Sequence, residues 1–502
     1  MQQMSRKSRR ETLKLLSLAG FGLMLPSCLS SGGEEEEVIP LIIPKPIIDL
    51  DSLRLENAVD VLEKELSTEN VLFLTQEHSD YEGNRNGFNL NHQKYPQIIA
   101  LCKNTEGVCE AMKYANRKEL KVAIKSGGHS FEGYSSNNDG LVINLSLMNQ
   151  MEWLDHNVLK SGPSVLLTDL YDFILPKNRI VPVGSCGTVG LSGLTLGGGY
   201  GFFSRQYGLA CDSLIEATLV DGNGNVHSAI EGDDLMWALR GGGNGNFGVV
   251  TELKYRTHPA AKSFIRYRLQ AYGLNSERAK SIMKTWFNHS ALLPNECFSA
   301  HVLNGNTTTI LITNYAEDKE VIDTMVSTLS NMMDKISIGN RKTLEDTLST
   351  YFGTMHPIYF KNSSAGYYQD YSTIEGCVDD ILDVVLNNKI IYQINTLGGA
   401  IANQEHKSNS CYPHRDAPYL CELQSYWSKD SQKESRIIAF NKVQEILNNH
   451  GIDKQYRNYP NIDFPNWEQA YFGKNYKKLQ NIKAKYDAND IIKHEQSIKL
   501  AD

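Results

Sequence analysis

The chain has 502 residues, 41% of them apolar and 22% charged, with a formal charge of −8. That composition excludes a disordered or collagen-like chain, and a net acidic surface argues against a nucleic-acid partner, whose phosphates call for clustered lysine and arginine. The length suits two domains behind a leader.

Residues 1–28 read as an export signal. Adjacent Arg9 and Arg10 in "MSRKSRRETLKLL" precede the apolar "LLSLAGFGLML", which is too short to stay in a bilayer as a spanning helix. "SRRETLK" resembles the twin-arginine signal of proteins exported already folded. Leu13 and Lys14 fit it, and Thr12 stands where a bulkier apolar residue is usual. "LPSC" then looks like a lipoprotein cleavage box that makes Cys28 the lipidated N-terminus, with 29–55 as a charged tether. On this reading the protein sits in a bacterial cell envelope and touches the membrane only through its lipid anchor. A plain cleaved secretory peptide is the alternative.

From residue 56 helical and strand patterns alternate. "EGVCEAMKYANRK" has helical spacing at Val108, Met112 and Ala115, and "KVAIKSGG" alternates as a strand running into glycine. "IEATLVDGNGNVHSA" reads as a hairpin about Gly222–Gly224, and "DDLMWALRGGG" as a short helix closed by Gly241. The pattern changes near 260. "CFSAHVLNGNTTTILITNYA" gives two strands about Asn304–Gly305. Helices follow over 317–336 and 374–388, then strands in "KIIYQINTLGGAI" and "PYLCELQSYWS". The expectation is an α+β chain: a first domain over 56–260, a second over 261–455 with an antiparallel sheet backed by helices, and a basic C-terminal segment over 456–502.

Nine cysteines are an odd number, and setting Cys28 aside leaves eight. No Cys/His spacing suits a metal, so no metal site is expected. Cys102 and Cys109 read as core residues rather than as a bridge.

Three segments are crowded with glycine. "KSGGHSFEGYSS" carries His129, "VGSCGTVGLSGLTLGGGYG" holds eight glycines and Cys186, and "RGGGNGNFGVV" follows at 240–250. Such density lets main-chain N–H groups approach a flat or anionic ligand. Neither GxxxxGK[ST] nor a strand-GxGxxG-helix unit is present, so a large phosphorylated cofactor would bind in another way.

In order and spacing these segments resemble the flavin-binding core of the vanillyl-alcohol oxidase superfamily, in particular the berberine-bridge-enzyme-like oxidases, which include oligosaccharide oxidases. "YPHRDAPYL", "YRNYPNID" and "YFGKNYKKLQNIKAKYDANDIIKHEQSI" extend the likeness over most of the chain. The resemblance implies a two-subdomain FAD-binding domain, completed by 456–502, plus a substrate domain. It also implies FAD bonded twice, from His129 to the flavin 8-methyl carbon and from Cys186 to ring carbon 6. A neutral imidazole and a thiolate are the nucleophiles this needs, and two links would raise the ring's reduction potential. By the same likeness Ser126, Gly127, Gly128 and Ser130 cradle the diphosphate, Gly190, Gly193, Gly198 and Gly199 line the cofactor's path, and Val249 meets it through its main chain. Val189, three after the cysteine, is the oxygen-permissive choice in relatives. Gly187 stands where proline is usual, and Asn144 where an acid is usual.

For the chemistry, Tyr456 falls where sugar-oxidising relatives place a catalytic base, as a phenolate whose pKa nearby positive charge would lower, with Tyr459 second. Glu422 and Gln424 share one face of a strand by alternation and would orient the substrate or assist the base. Tyr81, Phe131, Trp427 and Tyr471 are stacking candidates that read equally as core, and His414 and Arg415 read as structural. The implied activity is an FAD oxidase that converts a sugar or oligosaccharide hydroxyl, at the anomeric carbon, and reduces O2 to H2O2. A flavin dehydrogenase or ring-closing enzyme of secondary metabolism, and a non-catalytic glycan-binding lipoprotein, are the alternatives.

Overall fold

The computed structural model describes residues 67–501. The twin arginine, Cys28, the tether and the first residues of the first domain lie outside the described residues. Among the described residues no helix is long and apolar enough to cross a membrane.

Among the described residues three larger sheets and one two-stranded pair, Arg179–Ile180 with His258–Pro259, organise the fold. The first runs in space Val71–Leu74, Ile98–Cys102, Leu141–Asn144, Val122–Lys125, with its inner pairs parallel. Its strands are buried on both faces, as parallel strands usually are, and the helix Thr105–Arg117 covers one of them. That helix starts where the Asn104 side chain accepts from the Gly107 N–H at 2.9 Å, and it buries Val108, Ala111, Met112 and Ala115. The strand edge at Val122 is completed from far along the chain, since Val122 N–H donates to Ile491 O and Lys493 N–H to Val122 O. The second sheet is antiparallel, in the order Met151–Trp153, Val158–Ser161, Gly248–Arg256, Leu214–Asp221, Val226–Ile230.

The third sheet has seven antiparallel strands, Lys335–Ile338, Ile265–Ala271, Thr307–Asn314, Cys297–Asn304, Ile391–Thr396, Tyr419–Trp427, Tyr359–Tyr368. One face is greasy: Ile310, Ile312, Tyr392, Ile394, Cys421 and Leu423 pack under the helices Ser276–Ser290, Glu320–Ser330, Val378–Leu386 and Asp430–Asn449. The other face, with Phe298, Ala300, Val302 and Phe360, joins the core that holds Cys186, Leu191 and Phe202. Two expected helices are shorter than their sequence patterns. The one over 317–336 stops at Ser330, and Lys335–Ile338 becomes an exposed edge strand whose branched isoleucines alternate. The one over 374–388 is divided at Gly376 and Cys377, glycine being a poor helix former.

A buried ion pair fastens the approach to the seven-stranded sheet onto the core that holds Cys186 and Cys211. Arg415 grips both oxygens of Asp212, at 2.6 and 2.9 Å, with both side chains at most 2% exposed. Burial raises the Asp212 carboxyl, but the Arg415 charge and its hydrogen bonds outweigh burial and hold it below its ordinary 3.8. His414 Nε2 nearby donates to the Ala470 carbonyl at 2.7 Å. Because the Asp212 pKa is depressed on folding, the pair stabilises above pH 3.8 and its contribution is lost as pH falls through the lower folded value. We expect Arg415→Met to cost about 3–5 kcal/mol near neutral pH, since it strands a buried carboxylate. In thermal or urea unfolding the gap from wild type should close as the pH is taken below 3.8.

Candidate active site

Two glycine-rich loops meet main chain to main chain. A Cβ on Gly127 would lie 2.5 Å from Gly190 N, and one on Gly190 would lie 2.6 Å from Gly127 N and from Ser126 Oγ, so neither position has room for a side chain. A side-chain bond closes the same junction, with His129 Nε2 2.9 Å from Thr188 Oγ1. The imidazole also stacks on Phe88, centroids 3.9 Å apart at 21°. Burial pushes it down to about 3, which keeps it neutral and therefore nucleophilic. Cys186, 7% exposed, walls the same cavity as His129 and Val189. The departure at Gly187 has a physical reason: its N–H donates to Phe352 O at 2.9 Å, a bond proline could not make. Asn144, in place of an acid, donates from Nδ2 to Asn84 Oδ1 at 3.1 Å.

The loops open onto a cavity of about 230 Å³ whose lining extends from Ser126 past Cys186 and Tyr459 to His494. Ser126, Gly127, Gly128, His129 and Ser130 line it. Among the described residues no group accepts from the N–H of Gly127, Gly128, His129 or Ser130. Buried N–H groups seldom go unpaired, and a run of them is an anion-binding nest. Gly190 and Gly193 are also on the wall, and a Cβ on Gly193 would meet open space. FAD fits these donors and this shape. No group of three His, Cys, Asp or Glu side chains that could hold a metal occurs among the described residues.

Three of the positions expected to meet the cofactor are not among the residues that line this cavity. Val249 is fully buried in a strand and pairs with Val220. Gly198 packs against Tyr412, and the Gly199 N–H donates to Tyr456 Oη at 2.9 Å. Glycine at 198 and 199 thus serves close packing and a tyrosine contact.

The cavity's other wall is the turn 456–459 with Tyr200 and, from the seven-stranded sheet, Phe298; the polar face of that sheet lies behind them. Tyr456 Oη accepts from Gly199 N–H and, at 3.0 Å, from Asn458 Nδ2, so it braces two segments. No cation lowers it, and burial instead pushes its phenol well up. The expected activation of Tyr456 by positive charge is therefore not found. Tyr459 faces the cavity with its ring stacked on Phe131, centroids 5.2 Å apart at 7°. Its hydroxyl lies 2.9 Å from that of Tyr200, which receives Asn395 Nδ2 at 3.3 Å. From there hydrogen bonds run through Gln393, Gln424, Tyr426 and Asn362. Glu422 stands in this face fully buried, with neither carboxyl oxygen hydrogen-bonded, and burial pushes its carboxyl well above 4.5. Its charge is near enough to raise both Tyr200 and Tyr459 after burial has done so. Glu422 and Gln424 do share a face, behind the tyrosines rather than on the cavity wall. Tyr81, Trp427 and Tyr471 are core side chains away from the cavity.

Sequence reasoning passed over Tyr200, Gln393 and Asn395. Tyr200 was in view as the aromatic of "GGGYG", and the two amides share a face by the two-residue period of "YQINT".

The FAD binding domain family matches residues 96–229, and the berberine and berberine-like family matches residues 455–499. Glucooligosaccharide oxidase of Sarocladium strictum is 27% identical over 86% of this chain and 93% of its own. Of solved structures, Physcomitrella patens BBE-like 1 shares the fold with a TM-score of 0.80 at 21% identity, covering 88% of this chain and 99% of its own. Glucooligosaccharide oxidase from Acremonium strictum, described with a 6-S-cysteinyl, 8α-N1-histidyl FAD, has a TM-score of 0.78 at 22% identity, covering 86% and 97%.

The contact between the loops makes a direct test. Gly190→Ala should purify with little or no flavin and unfold at a lower temperature, because its methyl meets main chain at 2.6 Å. Gly83→Ala, whose methyl meets nothing within 4 Å, should keep the colour of wild type.

Proposed function

We propose that this chain, an FAD-dependent oxidoreductase with the domain pair of the berberine-bridge-like enzymes, oxidises a hydroxyl of a sugar or oligosaccharide, at the anomeric carbon, and passes the electrons to O2 as H2O2. The observation that carries the reading is the pair of hydroxyls of Tyr459 and Tyr200 on the cavity wall opposite the His129 and Cys186 loops, 2.9 Å apart and backed by a file of amide side chains that runs to Asn362. A polyhydroxylated substrate needs many orientable donors and acceptors, and a greasy alkaloid does not. Relatives named for carbohydrate and glucooligosaccharide oxidation support it.

When bound, the flavin supplies the acceptor for the substrate's hydride. The chain supplies the rest. With Nε2 of His129 committed to Thr188, Nδ1 is the nitrogen through which His129 would hold the flavin at its 8-methyl carbon, and Cys186 would hold it at ring carbon 6. The Tyr200 and Tyr459 hydroxyls, 2.9 Å apart, take the proton of the reacting hydroxyl, and Glu422 behind them is the carboxylate that draws it on. Tyr456 holds the glycine loop against the turn that carries Tyr459. Val189 leaves the oxygen approach open. Export, with Cys28 as a lipid anchor, belongs to the same proposal, because a signal for folded cargo suits a chain that must receive its cofactor first.

Acid-precipitated protein from wild type, His129→Ala and Cys186→Ala should stay yellow, and the double variant should release its pigment. Peroxide release should be found with reducing mono- or oligosaccharides. Turnover confined to alkaloids or phenols, or slow reoxidation in air, would instead select the ring-closing or dehydrogenase alternatives. Because Glu422 must lose its proton to act, kcat/KM should rise with pH through a value above 4.5, and Glu422→Gln should flatten that limb. Tyr200→Phe should lower kcat by about 10²-fold or more with KM little changed.

A further inference from the structure

The buried cations of this fold come with acceptors. Arg415 has Asp212, Lys361 has Glu132 and Lys483 has Asp487. Lys125 and Arg205 lack carboxylates but donate to main-chain carbonyls, Lys125 to Asn84 and Asn86, and Arg205 to Leu293 and Leu397. Arg457 differs. It is 5% exposed and held between the rings of Tyr134 and Tyr471, with its guanidinium carbon 5.8 and 5.7 Å from their centroids. Among the described residues it forms no ion pair, its Nε has no partner, and its one hydrogen-bonding contact is Nη2 to His494 Nε2 at 3.2 Å.

That contact is itself incomplete. The Gln496 N–H donates to His494 Nδ1 at 3.2 Å, which places the ring proton on Nε2. Two donors, a guanidinium N–H and an imidazole N–H, then face one another. His494 is stacked on Tyr134, centroids 4.4 Å apart at 14°, and both residues line the flavin cavity with Arg457 and Gly245. A guanidinium does not lose its proton in proteins, and an uncompensated buried charge is costly. Two converging donors without an acceptor specify an anion between or beside them.

We propose that Arg457 and His494 are a side-chain seat for the diphosphate of FAD, completing the nest formed by the N–H groups of Gly127 to Ser130. The cation is permanent, so its partner must be too. The oxidised isoalloxazine is uncharged, and the diphosphate is the permanent anion of this cofactor. Tyr134 belongs to the same loop as the nest, its N–H donating to Ser130 Oγ at 3.0 Å, and so places the seat beside it. The inference rests on the flavin assignment and adds its phosphate contacts.

The test is the flavin carried per chain, read by visible absorbance and intact mass on Arg457→Met, Arg457→Lys and His494→Leu purified without added FAD. We expect at least about tenfold less flavin on Arg457→Met and near-wild-type loading on Arg457→Lys, which keeps the charge. His494→Leu should fall several-fold, with the unfolding midpoint of its unloaded fraction unchanged from that of unloaded wild type. If Arg457→Met does not fold, the contrast between Arg457→Lys and His494→Leu decides. Full loading with a lowered flavin reduction potential would put the cation against the ring and overturn the assignment. Full loading with KM raised only for acidic sugars would make it a substrate contact and overturn it too. A colourless wild type would remove the flavin assignment itself, which separates the two failures.

Discussion

Everything at this site depends on two stretches of main chain touching where Gly127 meets Gly190. The distance leaves no volume for a side chain on either strand of the contact, and the consequences radiate from it. Residues 127–130 line the cavity, and among the described residues nothing accepts from their N–H groups. His129 reaches Thr188, two residues past Cys186, so one hydrogen bond holds the His129 and Cys186 loops around a single space. An imidazole in that position is neutral because it is dry, the condition under which it can act as a nucleophile.

The seven-stranded sheet meets that space with an unusual face. Its back is a conventional apolar layer under four helices, while its front carries two glutamines, two asparagines, two tyrosine hydroxyls and a glutamate in fully buried surroundings. Burying so many polar groups is tolerable because they satisfy one another along a continuous file. Glu422 is the exception: neither carboxyl oxygen has a partner at hydrogen-bonding geometry, and nearby Gln424 offsets only part of its desolvation. A fold keeps such a group at a cost in stability, and here the cost falls where proton transfer would occur.

Much of this was legible in the residues. Histidine and cysteine inside glycine clusters pointed to two loops that line one cavity, and alternation in "LCELQ" put Glu422 and Gln424 on one face. What sequence could not supply was which groups meet across loops. Tyr456 and Tyr459 are three residues apart and equivalent on paper, yet one oxygen is bound by Gly199 and Asn458 while the other meets Tyr200. Val249 sits beside a glycine cluster and still points into a sheet, because its strand continues regular pairing with Leu214–Asp221. Local pattern also overstated the helix over 317–336, since edge pairing with Ile265–Ala271 recruits its last residues.

The seam at Val122 bears on how the molecule is made. The strand that delivers the histidine loop is closed by Ile491 and Lys493, some 370 positions later in the chain. During synthesis, therefore, the ribosome releases the whole seven-stranded sheet before the first sheet can be sealed, and the nascent chain must wait with an open edge. Cofactor capture cannot be a step of early translation; it has to follow chain completion.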